Sequence, residues 1–316
     1  MSAFASFEYI AQELGRGAVI PVLGAGANLC DRPPGVTFEQ GTYLPDGREL
    51  AEALVARFPG TQPGDLARVA MHVIALAGAG PLFDTLHEMF DADYQPNRLH
   101  GFLVDAARRV RTSTGSGMLL VTTNYDDALE RAFQAADEPY QLITYIAGGR
   151  HRGYFRHHLS ESESVLVDPP TTYLGFRFTA TSVIAKIHGA VRRTAQSPDR
   201  EDLAWDPESY VITEDQYVDY ISHMNRDLFP VTLGTKLKKS HLLFLGYSLR
   251  DWNFRVLLHR IREEQADRDY QSWAIQPKPD AIDRFAWKQR GIEILSLSCG
   301  DFLDEMKWPR PDGTAP

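Results

Sequence analysis

The sequence predicts an α/β protein: a doubly wound, mostly parallel sheet with helices on both sides and a helical module packed beside it. Three observations predict it. Short continuous apolar runs at 19–23, 118–123, 182–187 and 241–245 have the length and composition of strands buried on both faces. Helical periodicity precedes or follows most of them, and glycines or polar residues gather where each run stops. Open parallel sheets bind ligands outside the carboxyl ends of their strands, so those stops are where function is sought.

Taken in order, Phe4, Phe7, Ile10, Ala11 and Leu14 recur at helical spacing until Gly15 and Gly17 end the pattern. The first strand then halts at Gly24-Ala25-Gly26-Ala27-Asn28. Glycines there let backbone N–H groups approach a phosphate. A tight turn between core elements would use the same residues, and Leu29 stands where the dinucleotide fingerprint has its third glycine. Residues 31–47, rich in Pro and Gly, are too long for a simple connector and read as a lid or a surface excursion. Helical patterns follow at 48–58, 65–77, 81–90 and 97–110, so residues 48–112 form a helical module within a single domain spanning 1–316.

The run at 118–123 leads straight into Asn124-Tyr125-Asp126-Asp127 and a helix at 128–135. A third strand is expected at 141–146, and 148–173 reads as irregular, with His151, His157 and His158 as exposed loop histidines. The next strand, 182–187, delivers His188-Gly189. A polar loop covers 191–207, after which Thr213-Glu214-Asp215 supplies a helix cap and an acidic first turn. The strand at 241–245 ends at Gly246-Tyr247-Ser248, with Asp251 opening another helix. Strands at 272–276 and 292–297 flank a helix at 281–290.

The 43% hydrophobic content supports a substantial core, and a net charge of −9, from 42 acidic against 33 basic residues, argues against direct nucleic-acid binding or capture by anionic membrane. Two cysteines, Cys30 and Cys299, cannot build a four-thiolate zinc site and fit reduced thiols in a cytoplasmic protein. No stretch reaches the ~20 apolar residues of a membrane helix, and the first seventeen residues lack the pattern of a signal peptide.

Four strand ends thus carry chemistry: Gly24-Ala25-Gly26, Thr122-Thr123-Asn124-Tyr125-Asp126, His188-Gly189 and Gly246-Tyr247-Ser248. Together and in this order they resemble the sirtuin family, and the Thr-Thr-Asn-Tyr-Asp form with Phe244 to Asp251 is similar to its zinc-free bacterial anti-phage effectors, which hydrolyse NAD. The resemblance implies a Rossmann-like NAD-binding fold without a zinc module. It implies NAD as substrate, no metal, and release of nicotinamide and ADP-ribose. Asn124, Asp126 and His188 become the catalytic candidates, and Gly24, Ala25, Gly26, Asn28, Thr123, Gly246, Ser248 and Asp251 the NAD-binding ones. By the same resemblance the effector is regulated, through homo-oligomerisation or a separately encoded hexameric translocase-type ATPase.

The residues suit that chemistry. Cleavage at the nicotinamide–ribose bond passes through an oxocarbenium-like state, and the pyridine leaves as a neutral molecule that needs no general acid. A histidine accepts a proton near neutrality, and an asparagine both donates and accepts hydrogen bonds. Plainer uses remain for the same residues: Asn124, Asp126, Ser248 and Asp251 as helix caps, His188 as a core histidine. Two further readings stay open, an NAD-dependent ADP-ribosyltransferase or deacylase and a non-catalytic NAD or ADP-ribose sensor.

Overall fold

The computed structural model describes residues 3–160, 163–191, 208–224, 230–247 and 270–306, together with Leu258, Ile261 and Gln265. Helix α1 (Ala3–Gly15) leads into β1 (Val19–Leu23) and a 3-10 turn, Ala25–Leu29. Helices α2 (Gly47–Arg57), α3 (Leu66–Ala77), α4 (Ala79–Phe90) and α5 (Arg98–Thr114) fill the interval to β2 (Leu119–Thr122). Then come α6 (Ala128–Ala135), β3 (Tyr140–Tyr145), β4 (Phe155–His158), β5 (Ser164–Val167) and β6 (Ser182–Lys186). The described chain continues with α7 (Glu214–Met224), α8 (Val231–Lys238), β7 (His241–Leu245), β8 (Ser272–Ile275), a helix at Ala281–Gln289, β9 (Ile292–Leu295) and a helix at Cys299–Glu305.

Among the described residues nine strands form one sheet in the order β5-β4-β3-β6-β2-β1-β7-β8-β9. The seven from β3 to β9 in that order run parallel, and β4 and β5 add an antiparallel edge. The mostly parallel α/β fold expected from the sequence is therefore present. Central strands are buried at every position because both faces are covered. Ile20, Val22, Leu119 and Val121 face one layer, with Leu233 and Leu237 of α8 and Trp287. Val19, Leu23 and Leu120 face the other, with Ile10 and Leu14 of α1, Leu103 and Ala107 of α5 and Phe133 of α6. The β2 ladder begins only at Val22, one residue past Pro21, whose ring nitrogen has no hydrogen to give.

Two features differ from the sequence reading. Residues 148–173 are not wholly irregular, since β4 and β5 lie within them. Each has four residues, and in β4 only Phe155 and His157 are buried while Arg156 and His158 are partly exposed, so no continuous apolar run announces it. His157 is accordingly not an exposed loop histidine: it is 2% exposed, and its Nδ1 lies 2.8 Å from the Tyr173 hydroxyl. His158 pairs with Thr144 across the ladder at 3.0 Å. The second difference concerns the helices between β1 and β2. Helices α2 to α4 pack around Leu54, Val73 and Leu86 in a cluster that also takes in Tyr94, Tyr125, Ala128, Tyr210 and Ile212, whereas α5 packs on the sheet.

The connection expected as a lid or an excursion is pinned at its base and its tip. Arg32 reaches Glu49 at 2.7 Å and the Leu44 carbonyl, and Gln40 donates to the Glu88 carbonyl of α4 at 2.8 Å.

Candidate active site

The strand order sets β6, β2, β1 and β7 side by side, so the four chemistry-bearing ends emerge as neighbours on one edge of the sheet. Backbone hydrogen bonds stitch them together. Thr123 N–H donates to the Leu23 carbonyl at 3.1 Å, Ile187 N–H to the Thr122 carbonyl at 3.0 Å, and Gly24 N–H to the Leu245 carbonyl at 3.1 Å.

The glycines serve this close approach. A Cβ on Gly24 would sit 2.8 Å from the Tyr247 Cα, and one on Gly26 2.7 Å from the Gly246 carbonyl oxygen. Gly246 has φ +61, and a Cβ there would meet the Ala27 nitrogen at 1.9 Å. Gly26 N–H donates to Gly246 at 2.9 Å. The N–H groups of both Gly24 and Gly26 are therefore committed to the β7 end, and the two turns form one backbone-packed unit.

Beside it lies a buried polar cluster. Asn28, in the turn after β1, donates from Nδ2 to Asp126 Oδ2 at 3.2 Å. The other oxygen of Asp126 accepts from Ala128 N–H at 3.1 Å and so caps α6. Asp126 thus does the capping duty that its place before a helix suggests while holding Asn28 in register. Asn124 is fixed by its own N–H, which donates to the Thr122 hydroxyl at 3.0 Å. The side-chain oxygens Asn28 Oδ1 and Asn124 Oδ1 are both buried with no hydrogen-bond partner. Buried acceptors are nearly always satisfied, so two orphans at one strand edge are sites that ask for donors.

His188 is 3% exposed, and Tyr217 and Tyr220 of α7 meet its ring edge-on, with centroids 5.4 and 5.5 Å away. Gly189 follows with φ +90, at a point where a Cβ would strike the Ser209 carbonyl at 2.4 Å. Beneath the Asn124 loop, Lys186 is 1% exposed and donates from Nζ to Glu130 Oε1 at 2.8 Å and to the Asp126 carbonyl. Burial drives the Glu130 carboxyl above its ordinary range against the opposing pull of Lys186. His100 of α5 completes the cluster. Its Nδ1 accepts the Asn97 N–H at 3.1 Å, and burial holds its imidazolium pKa below 6.5, with Asp126 and Lys186 pulling in opposite directions.

A cavity of about 570 Å³ opens on the β7–β8 side of the glycine unit, lined by Gly26, Gly246, Tyr247, Gln276, Lys278 and Trp287 among others. Ligand pockets commonly span this size. Ser248 and Asp251 lie outside the described residues, as does the start of the helix expected from Asp251. Lys186, Glu130 and His100 were not singled out in the sequence. A lysine inside the apolar run 182–187 was the available signal, because a lone charge in a doubly covered strand needs a buried partner. His100 and Gln276 carry no such mark. Among the described residues no group of His, Cys, Asp and Glu could hold a metal ion, and no helix is long and apolar enough to cross a membrane.

Comparison with known proteins adds a second line of observation. The family model described as SIR2-like domain matches residues 118–295. The chain is 23% identical over 182 residues to Defense-associated sirtuin 2 of Bacillus subtilis, covering 57% of this chain and 14% of that protein. It is 27% identical over 195 residues to NAD(+) hydrolase ThsA of Acinetobacter baumannii, covering 59% of this chain and 32% of that protein. The match thus takes in less than a third of each relative's length.

Proposed function

The chain belongs to the SIR2-like family, and from that premise we propose that it is an NAD glycohydrolase that releases nicotinamide and ADP-ribose. The observation that carries the reading is the pair of buried, unpartnered amide oxygens of Asn28 and Asn124 at the edge where His188 also emerges. Ribose hydroxyls and a carboxamide NH2 are the donors those oxygens lack. One relative is named an NAD(+) hydrolase, which supports the same substrate.

In this reading the adenosine half occupies the cavity beside Gly26 and Gly246, with Thr123, Ala25, Ser248 and Asp251 as further NAD contacts. The Gly24 turn shapes that site through backbone packing, since its own N–H is used. Asn124 Oδ1 accepts a hydrogen bond from the ribose or from the attacking water and fixes its angle of approach. His188 takes the proton as positive charge builds on the ribose. Asp126 keeps Asn28 in place and lends negative potential to the nicotinamide end. The balance is one water consumed and one proton released for each nicotinamide set free. The aromatic cover from α7 over His188 suits a small nucleophile such as water better than an acyl-lysine segment. A role in defence is supported by the name of the other relative, and its anti-phage form rests on the resemblance. Self-association, a separate ATPase partner, a cytoplasmic location and a single domain with its helical module belong to the same proposal and rest on the resemblance.

Nicotinamide release from NAD, followed for the parent, Asn124→Ala and His188→Ala, tests the reading. Each substitution is expected to lower the rate by roughly 10²–10⁴-fold. Variants as fast as the parent would overturn the site. Tight NAD binding without turnover in the parent would favour a sensor.

A further inference from the structure

We propose that Lys186 is a positioning residue that sets Asn124 against His188; the proposal rests on the hydrolase reading. One lysine touches both halves of the site. Its backbone is the last residue of β6, two positions before His188, and pairs with Thr122 in the β2 ladder. Its ammonium crosses the end of β2 to the Asp126 carbonyl and to Glu130, one turn into α6. The segment bearing Asn124 is thereby held at two points. The Thr122 hydroxyl takes the Asn124 N–H at its start, and Lys186 takes the Asp126 carbonyl at its end.

The cost of the arrangement points the same way. A fully covered strand is the most expensive place for a charge, and the pairing is incomplete, because Glu130 Oε2 is buried with no partner. An apolar pair would fill the space between β6 and α6 without leaving an orphan oxygen. What an apolar pair cannot do is donate to the Asp126 carbonyl, and that bond fixes the chain two residues beyond Asn124. Lys186 also adds positive charge next to Asp126, the carboxylate that aligns Asn28. It touches no reacting atom and works through Asn124 and Asp126.

The test is steady-state NAD hydrolysis by the full chain, with Lys186→Met/Glu130→Leu, which removes both charges of the buried Lys186–Glu130 pair together, and with Lys186→Gln made alongside. The expected result is a folded protein whose KM for NAD stays within about threefold while kcat falls about 10²-fold, the loss that a misplacement near 1 Å brings. The same changes are then added to Asn124→Ala and its residual rate is followed over hours. A residue acting through Asn124 gives no further loss there beyond about twofold, whereas a general weakening of the fold repeats its full effect. If the double variant does not fold, the kcat and KM of Lys186→Gln decide. With an active parent, an unchanged kcat, a loss confined to KM, or a loss that persists without the Asn124 amide overturns the assignment alone. A parent that leaves NAD intact overturns the hydrolase reading and this assignment with it.

Discussion

Replacing Gly246 by alanine tests whether the β1 and β7 ends form one packed unit. The φ of +61 at this position strains any L side chain, at roughly 1–2 kcal/mol. The larger part is steric. The new methyl would lie 1.9 Å from the Ala27 nitrogen and 2.2 Å from the Gly26 carbonyl carbon, backbone atoms that cannot rotate away as a side-chain tip would. Reaching ordinary contact moves the turn by about 1.5 Å, which breaks the Gly26-to-Gly246 hydrogen bond and strains the Gly24-to-Leu245 bond, each ~1 kcal/mol. The sum is a destabilisation of about 3–4 kcal/mol. Gly41 is the control, since it has φ +79 but nothing within 4 Å of its added Cβ. Gly41→Ala should therefore lose only the conformational part, about 1–2 kcal/mol. Urea denaturation of the parent and both variants reads the difference, provided the slopes agree. Equal midpoints for the two variants would refute the packing argument, and with it the account of why this turn is glycine-rich.

Other outcomes follow from the same geometry. Burial holds His100 and His157 below 6.5, so the folded protein binds fewer protons there than the unfolded chain. Stability should rise with pH through the region near 6.5 and flatten above it; a His100→Gln variant whose stability keeps the parent's full slope between pH 5.5 and 7.5 would contradict this. Burial pushes Cys30 up to about 12 and Cys299 to about 11, so at pH 8 iodoacetamide should label the native thiols at least ~10²-fold more slowly than the same thiols in urea. Labelling at equal rates counts against their burial. Asp126→Ala removes the cap of α6 and the anchor of Asn28 and should cost about 1–2 kcal/mol in a thermal or urea melt. An Asp126→Ala melt that coincides with the parent's would contradict both roles.

The parts of the fold that could be read from the sequence are those where burial is two-sided. In β1, β2, β6 and β7 every residue is covered, so each strand carries a dense apolar run with a sharp end, interrupted in β6 by Lys186. β4 eluded that test because its outward positions are Arg156 and His158. Helix α8 was missed for a related reason: Leu233 and Leu237 are its buried residues, too few to mark a helical period. At the site, Asn124, Asp126 and His188 were visible because polar residues at the end of an apolar run are conspicuous. Their support was not, because Lys186, Glu130 and His100 act across chain separations that no local pattern encodes. The glycines were legible as glycines, but what they accommodate is another stretch of backbone, found only once β7 is placed beside β1.

The sheet order has one more consequence. β1 and β2 are immediate neighbours, yet the chain travels through α2, α3, α4 and α5 before it comes back. The length of such a detour is weakly constrained, because the entropy of closing a span rises only with the logarithm of its length, while α5 ties its far end to the sheet core through Leu103 and Ala107. Its two roots are the turn that holds Asn28 and the strand that presents Asn124. Anything that grips the detour and twists it therefore pulls on both amides at once.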